Sequence, residues 1–248
     1  MSHQARLLAL RRRIAALEAG GKAGVLPFGD PRVDACLPGG GLPLGSWHEA
    51  GGEGMELETA AVAAAFVAAL AAPLAERGAV VWVMRRQDLY APGLAGLGFP
   101  AERLIQVCAR DEAEALGALE DALGAEGVVA AIGEVESPGL LAGRRLQLAC
   151  ERHGAAGFII RRRLFGGRTD DGASSAATRW TIAAAPSAPE AGEPGLGAPR
   201  WRVELERCRG GRPGAWIMEK SDDASSLRVV AELGDRHLDP APSRRLAG

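Results

Sequence analysis

The stretch AVVWVMRRQDLYAPGLAGLGFPAERLIQVCARDEAEALGALEDALGAEGVVAAI, residues 79–132, decides the fold. It holds three short apolar runs, at 79–84, 104–108 and 128–132, which predict strands, the first of them buried. The two segments between the runs have helical length and spacing. Apolar strands that alternate with helices are typical of a parallel sheet whose two faces are both covered. The stretch therefore predicts an α/β fold.

The same alternation extends beyond this stretch. Helices are predicted over 57–76, 88–97, 111–124 and 138–153, and a further strand over 157–160. We expect a mostly parallel sheet with helices on both faces.

The pattern changes after residue 160. Segments 177–182, 200–208 and 215–220 alternate apolar and polar residues, as antiparallel strands with one wet face do. We expect Trp201 and Trp216 in the core of this part of the sheet. The sequence thus predicts an N-terminal amphipathic helix within 1–20, an α/β core over 24–185 with a mobile basic loop at about 161–176, a flexible linker over 186–199, C-terminal strands over 200–233 and a disordered tail over 234–248.

Composition excludes several classes of protein. The 248 residues carry a formal net charge of -2, so the whole chain has no general attraction for nucleic acid or anionic membranes. The longest apolar run, 60–72, is shorter than the roughly 20 residues of a membrane span. With no signal peptide in the sequence, we expect a cytoplasmic protein. The four cysteines are widely spaced and we expect them to be small buried hydrophobes, with no metal site and no cofactor.

The glycine-rich segment GGGLPLGSWHEAGGEGMELET, residues 39–59, lies where a phosphate-binding loop is expected. Such a loop has the pattern GxxxxGK[ST], in which the lysine reaches the outer phosphates and the hydroxyl holds magnesium. When GEGMELET (52–59) is laid on this pattern, only Gly52 and Thr59 agree. Leu57 replaces the second glycine and Glu58 replaces the lysine.

Two more carboxylates, Glu53 and Glu56, lie in the same loop. Two like charges about 5 Å apart repel by roughly 3 kcal/mol at an effective dielectric constant of 20. A triphosphate would therefore meet repulsion where it needs an ammonium group. The sequence predicts that this loop does not bind nucleotide.

From FGDPRVDACLPGGGLPLGSWHEAGG (28–52) onward, the chain resembles the RecA-like ATPases. The resemblance implies a magnesium-organising aspartate at the end of the strand VVAAIGEVE, where Gly133 stands unless Glu134 substitutes for it. It also implies a water-activating glutamate just after residues 79–84. Arg85, Arg86 and Gln87 occupy that region, and Asp88 is the nearest carboxylate.

A narrower resemblance is to the ImuA family of the bacterial damage-inducible mutagenesis cassette. It rests on LPGGGLPLG with HE following, RRQDLYAPGLAGLGF (85–99), CARDEAEALGALEDAL (108–123), GRRLQLACERHG (143–154), AATRWTIAAAPS (176–187) and GLGAPRWRVELERCRGGRPGAW (195–216). The resemblance implies an accessory role in SOS-induced, error-prone translesion synthesis, with association with the nucleoid when DNA is damaged. The implied partner is a Y-family polymerase-like protein of the ImuB type, and RecA, a DnaE-type polymerase, DNA and further copies of the chain are candidates. An active RecA-type ATPase or recombinase and a SulA-like inhibitor of cell division remain the alternatives.

Two sets of residues are candidates for contacts with partners. The arginines of the basic loop lie where the matching loop of a recombinase meets DNA, and could neutralise phosphates there; the alternative is a solvated loop. They are Arg161, Arg162, Arg163 and Arg168. The apolar stripe of the N-terminal helix could contact a neighbouring molecule or pack on the protein's own core. It consists of Leu7, Leu10, Ile14 and Leu17.

Overall fold

A nine-stranded mixed sheet and a separate two-stranded antiparallel sheet organise the part of the chain that the computed structural model describes. The described residues are 24–162, 174–187, 189, 196–221 and 227–233, without the side chains of 56–58 and 60. The predicted N-terminal helix, with Leu7, Leu10, Ile14 and Leu17, and the predicted tail lie outside them. The strands are β1 (Val25–Leu26), β2 (Leu42–Pro43), β3 (Trp47–Gly52), β4 (Ala79–Met84), β5 (Leu104–Cys108), β6 (Val128–Val135), β7 (Ala156–Arg161), β8 (Thr178–Ala185), β9 (Arg200–Cys208), β10 (Gly214–Lys220) and β11 (Leu227–Glu232).

The strand order across the large sheet is β11-β10-β9-β8-β3-β7-β6-β4-β5. Every pairing from β8 to β5 is parallel. Strands β9, β10 and β11 extend the sheet in antiparallel pairings beyond β8. The predicted fold class, a mostly parallel α/β sheet completed by antiparallel C-terminal strands, is confirmed.

Helices cover the parallel strands on both faces. They are α1 (Pro31–Asp34), α2 (Glu56–Ala75), α3 (Ala91–Ala95), α4 (Glu112–Leu123) and α5 (Leu140–His153). Helix α2 is alanine-rich and apolar on every side, a composition that favours a helix and suits one that is buried. It packs in the larger core, whereas α4 and α5 pack on the opposite face of the sheet.

An aromatic cluster fills the larger core beneath the C-terminal strands. The ring of Phe66 on α2 lies 6.4 Å from Trp180 and 6.1 Å from Trp201, measured between ring centroids. Trp180 in turn lies 6.5 Å from Trp216. Trp201 and Trp216 are 3% and 1% exposed, so their predicted place in the core is confirmed. Burial of these rings holds the antiparallel extension against α2.

Several predicted boundaries change in the structure. The helix predicted over 88–97 is only Ala91–Ala95, because Pro92, Gly93 and Gly96 disfavour a longer one. Strand β6 continues to Val135, three residues beyond its predicted end. The prediction that all four cysteines are buried is confirmed for Cys36 and Cys150, but Cys208 is only half-buried and Cys108 is exposed at the end of β5. In the described part of the chain, no helix is both long enough and apolar enough to span a membrane.

His48 of β3 is a buried polar residue beside the aromatic cluster. The indole of Trp180 donates to the Thr178 hydroxyl (2.7 Å), and that hydroxyl lies 2.8 Å from His48 Nδ1. His48 Nε2 lies 3.0 Å from the carbonyl oxygen of Pro43, so Nε2 carries the proton and Nδ1 accepts from Thr178. Burial lowers the pKa of His48 from its ordinary 6.5 to about 4, so the imidazole is neutral in the folded protein.

This lowered pKa predicts acid sensitivity. Between about pH 6.5 and pH 4 the unfolded chain takes up a proton at His48 that the folded protein does not, so stability falls as the pH falls through this window. In urea unfolding, the titration of His48 should lower the free energy of unfolding by about 2 kcal/mol between pH 7 and pH 5. The His48→Gln variant should lack this part of the loss, and His153→Gln, at an exposed position, should retain it. Equal pH dependence in all three proteins would contradict the prediction.

Candidate functional site

The candidate site lies at the carboxyl edge of the parallel strands, where the ends of β3, β4, β6 and β7 meet. In open α/β sheets this edge is the usual ligand-binding position. Strand β3 ends at Gly52, and the residues Glu53, Gly54 and Met55 connect it to α2. We call this connection the β3–α2 junction. The residues matched to the second glycine and the lysine, Leu57 and Glu58, lie with Glu56 in the first turn of α2, and their side chains are outside the described part.

Polar groups of the β3–α2 junction are bonded to the protein itself. The amide of Glu53 donates to the carbonyl oxygen of Ile182 in β8 (3.0 Å). The amide and the hydroxyl of Thr59 both donate to the carbonyl oxygen of Met55, at 3.1 and 3.0 Å. The hydroxyl that a phosphate loop would offer to magnesium therefore bonds inside the helix.

Close packing joins the two ends of the junction. A methyl group added at Gly52 would lie 2.5 Å from Cβ of Thr59, which is shorter than any ordinary contact. Gly52 and Thr59 are thus in direct contact, and no phosphate group fits between them. Glycine is needed here for close approach, and its φ is not in the left-handed region.

The charge at the junction is negative in sequence and partly neutralised in the structure. Glu53 forms an ion pair with Arg202 of β9, and their side chains are 50% and 37% exposed. No lysine or arginine occurs between residues 51 and 60. The lysine that the phosphate-loop pattern requires is therefore absent from this segment. Glu53 pairs instead with Arg202, which lies on a strand distant in sequence.

Two residues near the end of β6, Gly133 and Glu134, are candidates for the position of the magnesium-organising aspartate that the resemblance implies. Gly133 faces α4, where an added Cβ would lie 2.8 Å from Cδ2 of Leu119. Glu134 faces the opposite side, on which α2 packs, because successive residues of a strand point to opposite faces. Of the two candidates for that position, Glu134 is therefore the one whose side chain lies on the side of the sheet that α2 covers.

Glu134, however, is already paired. Its side chain is 5% exposed, and its Oε1 accepts a hydrogen bond from the indole of Trp82 (2.8 Å). Its Oε2 accepts from Nε of Arg162 at 2.9 Å and from the second guanidinium nitrogen at 2.5 Å. The Arg162 side chain is 14% exposed, so this is a largely buried ion pair in which two guanidinium nitrogens donate to the same carboxylate oxygen. We call Trp82, Glu134 and Arg162 the Glu134 cluster.

Arginine occupies the region of the expected water-activating glutamate. Arg85, directly after β4, lies 3.6 Å from a carboxylate oxygen of Glu136 and 4.0 Å from one of Glu112. Asp88, the nearest carboxylate in sequence, is exposed to solvent. Within the described residues, no group of three or more histidine, cysteine, aspartate or glutamate side chains is arranged to hold a metal ion.

The structure also places two of the four candidate DNA-binding arginines. Arg161 is 8% exposed and donates from Nε to the carbonyl oxygen of Glu136 (3.1 Å). Burial lowers its pKa, an effect that nearby Glu49 opposes. Arg162 belongs to the Glu134 cluster. Arg161 and Arg162 are therefore not solvated loop cations as the sequence suggested; Arg163 and Arg168 lie outside the described residues.

Sequence reasoning missed two partners in this site, Arg162 for Glu134 and Arg202 for Glu53. For Glu134, a signal was present, because a carboxylate in the otherwise apolar run VVAAIGEV must find a partner if it is buried. The partner could not be chosen from sequence, since Arg162 follows β7, a strand that lies beside β6 only in the folded sheet.

Fold and site together define a RecA-like α/β protein. The crystal structure of the RadB recombinase matches with a TM-score of 0.56, covering 83% of this chain and 99% of that one; at 16% identity the likeness concerns the fold alone. Two relatives named Protein ImuA, from two strains of Caulobacter vibrioides, are 56% identical over 234 residues, which cover 90% of this chain and 96% of each relative. The chain belongs to the ImuA family. No family model matches it.

Closure of the β3–α2 junction predicts a difference between neighbouring glycines. Gly52→Ala should lower the free energy of unfolding by about 1–3 kcal/mol, because the added methyl group overlaps Thr59. Gly51→Ala is the matched control: no atom lies within 4 Å of its added Cβ, so the change should stay within about 0.5 kcal/mol. Urea unfolding measures both. Neutral behaviour of Gly52→Ala would mean that the junction is open in solution.

The Glu134 cluster predicts a large and non-additive effect. Arg162→Met leaves a buried carboxylate without its cation and should lower the free energy of unfolding by about 3–5 kcal/mol. The double variant Glu134→Met/Arg162→Met should lower the free energy of unfolding by less than Arg162→Met alone does. Arg145→Met is the control: it breaks the more exposed pair with Glu120 and should lower the free energy of unfolding by less than about 1 kcal/mol. Similar losses in Arg162→Met and Arg145→Met would show that the Glu134 pair is not buried in solution.

Proposed function

We propose that this ImuA-family protein is a RecA-like adaptor without nucleotide chemistry. In this proposal it acts in SOS-induced, error-prone translesion synthesis by binding a Y-family polymerase-like protein of the ImuB type. Membership of the ImuA family supports the biological process. The single observation that carries the loss of chemistry is the buried ion pair between Glu134 and Arg162.

The pair supports the proposal through the charge that magnesium would meet. A divalent cation beside Glu134 would lie next to the guanidinium of Arg162, which already satisfies Oε2. Binding would require Arg162 to leave a site in which its side chain is 14% exposed and to find another partner. Removing one member of a buried ion pair costs several kcal/mol. Magnesium with nucleotide is therefore disfavoured at this edge of the sheet.

The β3–α2 junction supports the same conclusion for the phosphates. A phosphate loop binds through free backbone amides and a lysine. Here the amides of Glu53 and Thr59 donate to carbonyl oxygens of the protein, and the lysine is absent. The carboxylates of Glu53, Glu56 and Glu58 add negative charge in the same segment. The fold is retained while each part of the nucleotide chemistry is replaced.

Direct contact with DNA is a separate part of the proposal. Because Arg161 and Arg162 have partners within the protein, such a contact depends on Arg163 and Arg168 of the basic loop. Association with RecA, with a DnaE-type polymerase and with further copies of the chain is proposed on family membership alone.

Two measurements on the purified full-length protein test the proposal. Isothermal titration calorimetry with ATP and magnesium should give no binding tighter than about 1 mM, while an active RecA-type ATPase measured alongside gives a clear signal. Biolayer interferometry should detect binding of the ImuB-type protein from the same organism to this protein.

The alternatives give different results. ATP hydrolysis stimulated by DNA would establish the RecA-type ATPase and overturn the proposal. Overproduction that causes cell filamentation without DNA damage, with an unchanged mutation frequency, would favour the division inhibitor. Failure of the ImuB-type protein to bind at any salt concentration would remove the adaptor role.

A further inference from the structure

Helix α5 has an apolar stripe on its outer side. Leu141 and Leu148 are 75% and 52% exposed, and Leu140 at the helix start is 61% exposed. Residues seven apart lie on the same side of a helix, so Leu141 and Leu148 share one stripe. The inner side of α5 consists of other residues of the helix, which are buried: Gly143, Leu146, Ala149 and Cys150. The exposed leucines therefore lie on the side of α5 that faces away from the protein's own core.

Arginines border this stripe. Arg144 and Arg152 are exposed, and Arg145, with 59% of its side chain exposed, pairs with Glu120 of α4 at 2.6 Å. The single acidic residue of α5 is Glu151, which accepts a hydrogen bond from Gln147. The outer side of the helix is thus both apolar and positive. We call Leu140, Leu141, Arg144, Arg145, Leu148 and Arg152 the α5 face.

Clustering is what makes the leucines informative. Single exposed apolar residues are ordinary, but a cluster rimmed by polar groups marks an interaction surface. Arginine is also enriched at protein interfaces, where its stem packs and its head finds carboxylates. The α5 face combines both properties on one helix.

The charge of the α5 face selects its occupant. The chain's own N-terminal segment, residues 1–20, carries Arg6, Arg11, Arg12 and Arg13 against Glu18 alone. It would bring positive charge to a positive face. A second copy related by a two-fold axis would likewise oppose the arginines of one α5 to those of the other. Both occupants are disfavoured by repulsion between like charges.

We propose that the α5 face is the docking surface for an acidic amphipathic helix of the protein partner. The leucines of such a helix would pack between Leu141 and Leu148, and its carboxylates would meet Arg144 and Arg152. This inference rests on the adaptor function proposed above and names the surface that serves it. Helix α5 lies on the face of the sheet opposite α2.

The test uses the full chain and the ImuB-type protein as the probe, with affinity measured by biolayer interferometry. Leu141→Ser/Leu148→Ser should weaken binding at least tenfold. Leu196→Ser, a change at a leucine that is 96% exposed elsewhere, should leave the affinity unchanged. Urea unfolding of each variant checks that the changes leave the fold intact.

Charge reversal tests the chemistry of the occupant. Arg144→Glu/Arg152→Glu should also weaken binding at least tenfold at low salt, and the difference from the unaltered protein should shrink as salt is added. Arg110→Glu is the control, at an arginine whose side chain is 87% exposed on another part of the surface. Tighter binding by the charge-reversed variant would mean a basic occupant and would overturn the inference.

The remaining outcomes separate this inference from the proposed function. Unchanged affinity of the leucine variant would overturn the α5 face while leaving the adaptor function standing. A dimer that Leu141→Ser/Leu148→Ser dissociates in sedimentation equilibrium would assign the face to a second copy. Tighter partner binding after deletion of residues 1–20 would assign it to the protein's own N-terminal segment. Absence of any binding by the unaltered protein would overturn both proposals.

Discussion

A buried carboxylate at the end of a strand must have a permanent partner, and this constraint shapes the carboxyl edge of the sheet. Glu134 meets it with Arg162 and the indole of Trp82. Trp82 lies on β4, Glu134 lies on β6 and Arg162 directly follows β7, so one network joins three neighbouring strands at the carboxyl edge of the sheet. The carboxylate of Glu134 therefore has its hydrogen-bond partners within the protein.

Local patterns were enough to locate most of the secondary structure. The apolar runs at 79–84 and 104–108 coincide with β4 and β5, because strands of a parallel sheet are apolar runs between helices. Strand β4 is buried, whereas β5 lies at the edge of the sheet with Ile105, Gln106 and Cys108 exposed. Helix α4 begins after Asp111, whose carboxylate accepts from the amide of Glu114 as an N-cap residue does. Helix α3 was overestimated because a helical apolar pattern was given more weight than the glycines within it.

The site was less predictable because its contacts join distant parts of the chain. The loss of the lysine is visible in the sequence, since it concerns residue types in one short segment. The partners of Glu134 and Glu53 are not, because Arg162 and Arg202 approach them only once β6 lies beside β7 and β9 extends the sheet beyond β8. Whether Gly133 or Glu134 faces α2 likewise depends on which face of β6 the helix covers.

The two faces of the sheet carry separate apolar cores. The α2 face depends on apolar packing, including the aromatic cluster around Phe66, and none of that packing requires a nucleotide. At the carboxyl edge, Glu53 and Glu134 pair with arginines of the protein itself. The start of α4 belongs to the same edge, since Glu112 lies 4.0 Å from Arg85. The adaptor role proposed above would therefore depend on the fold and on the α5 face, and not on the groups at the carboxyl edge.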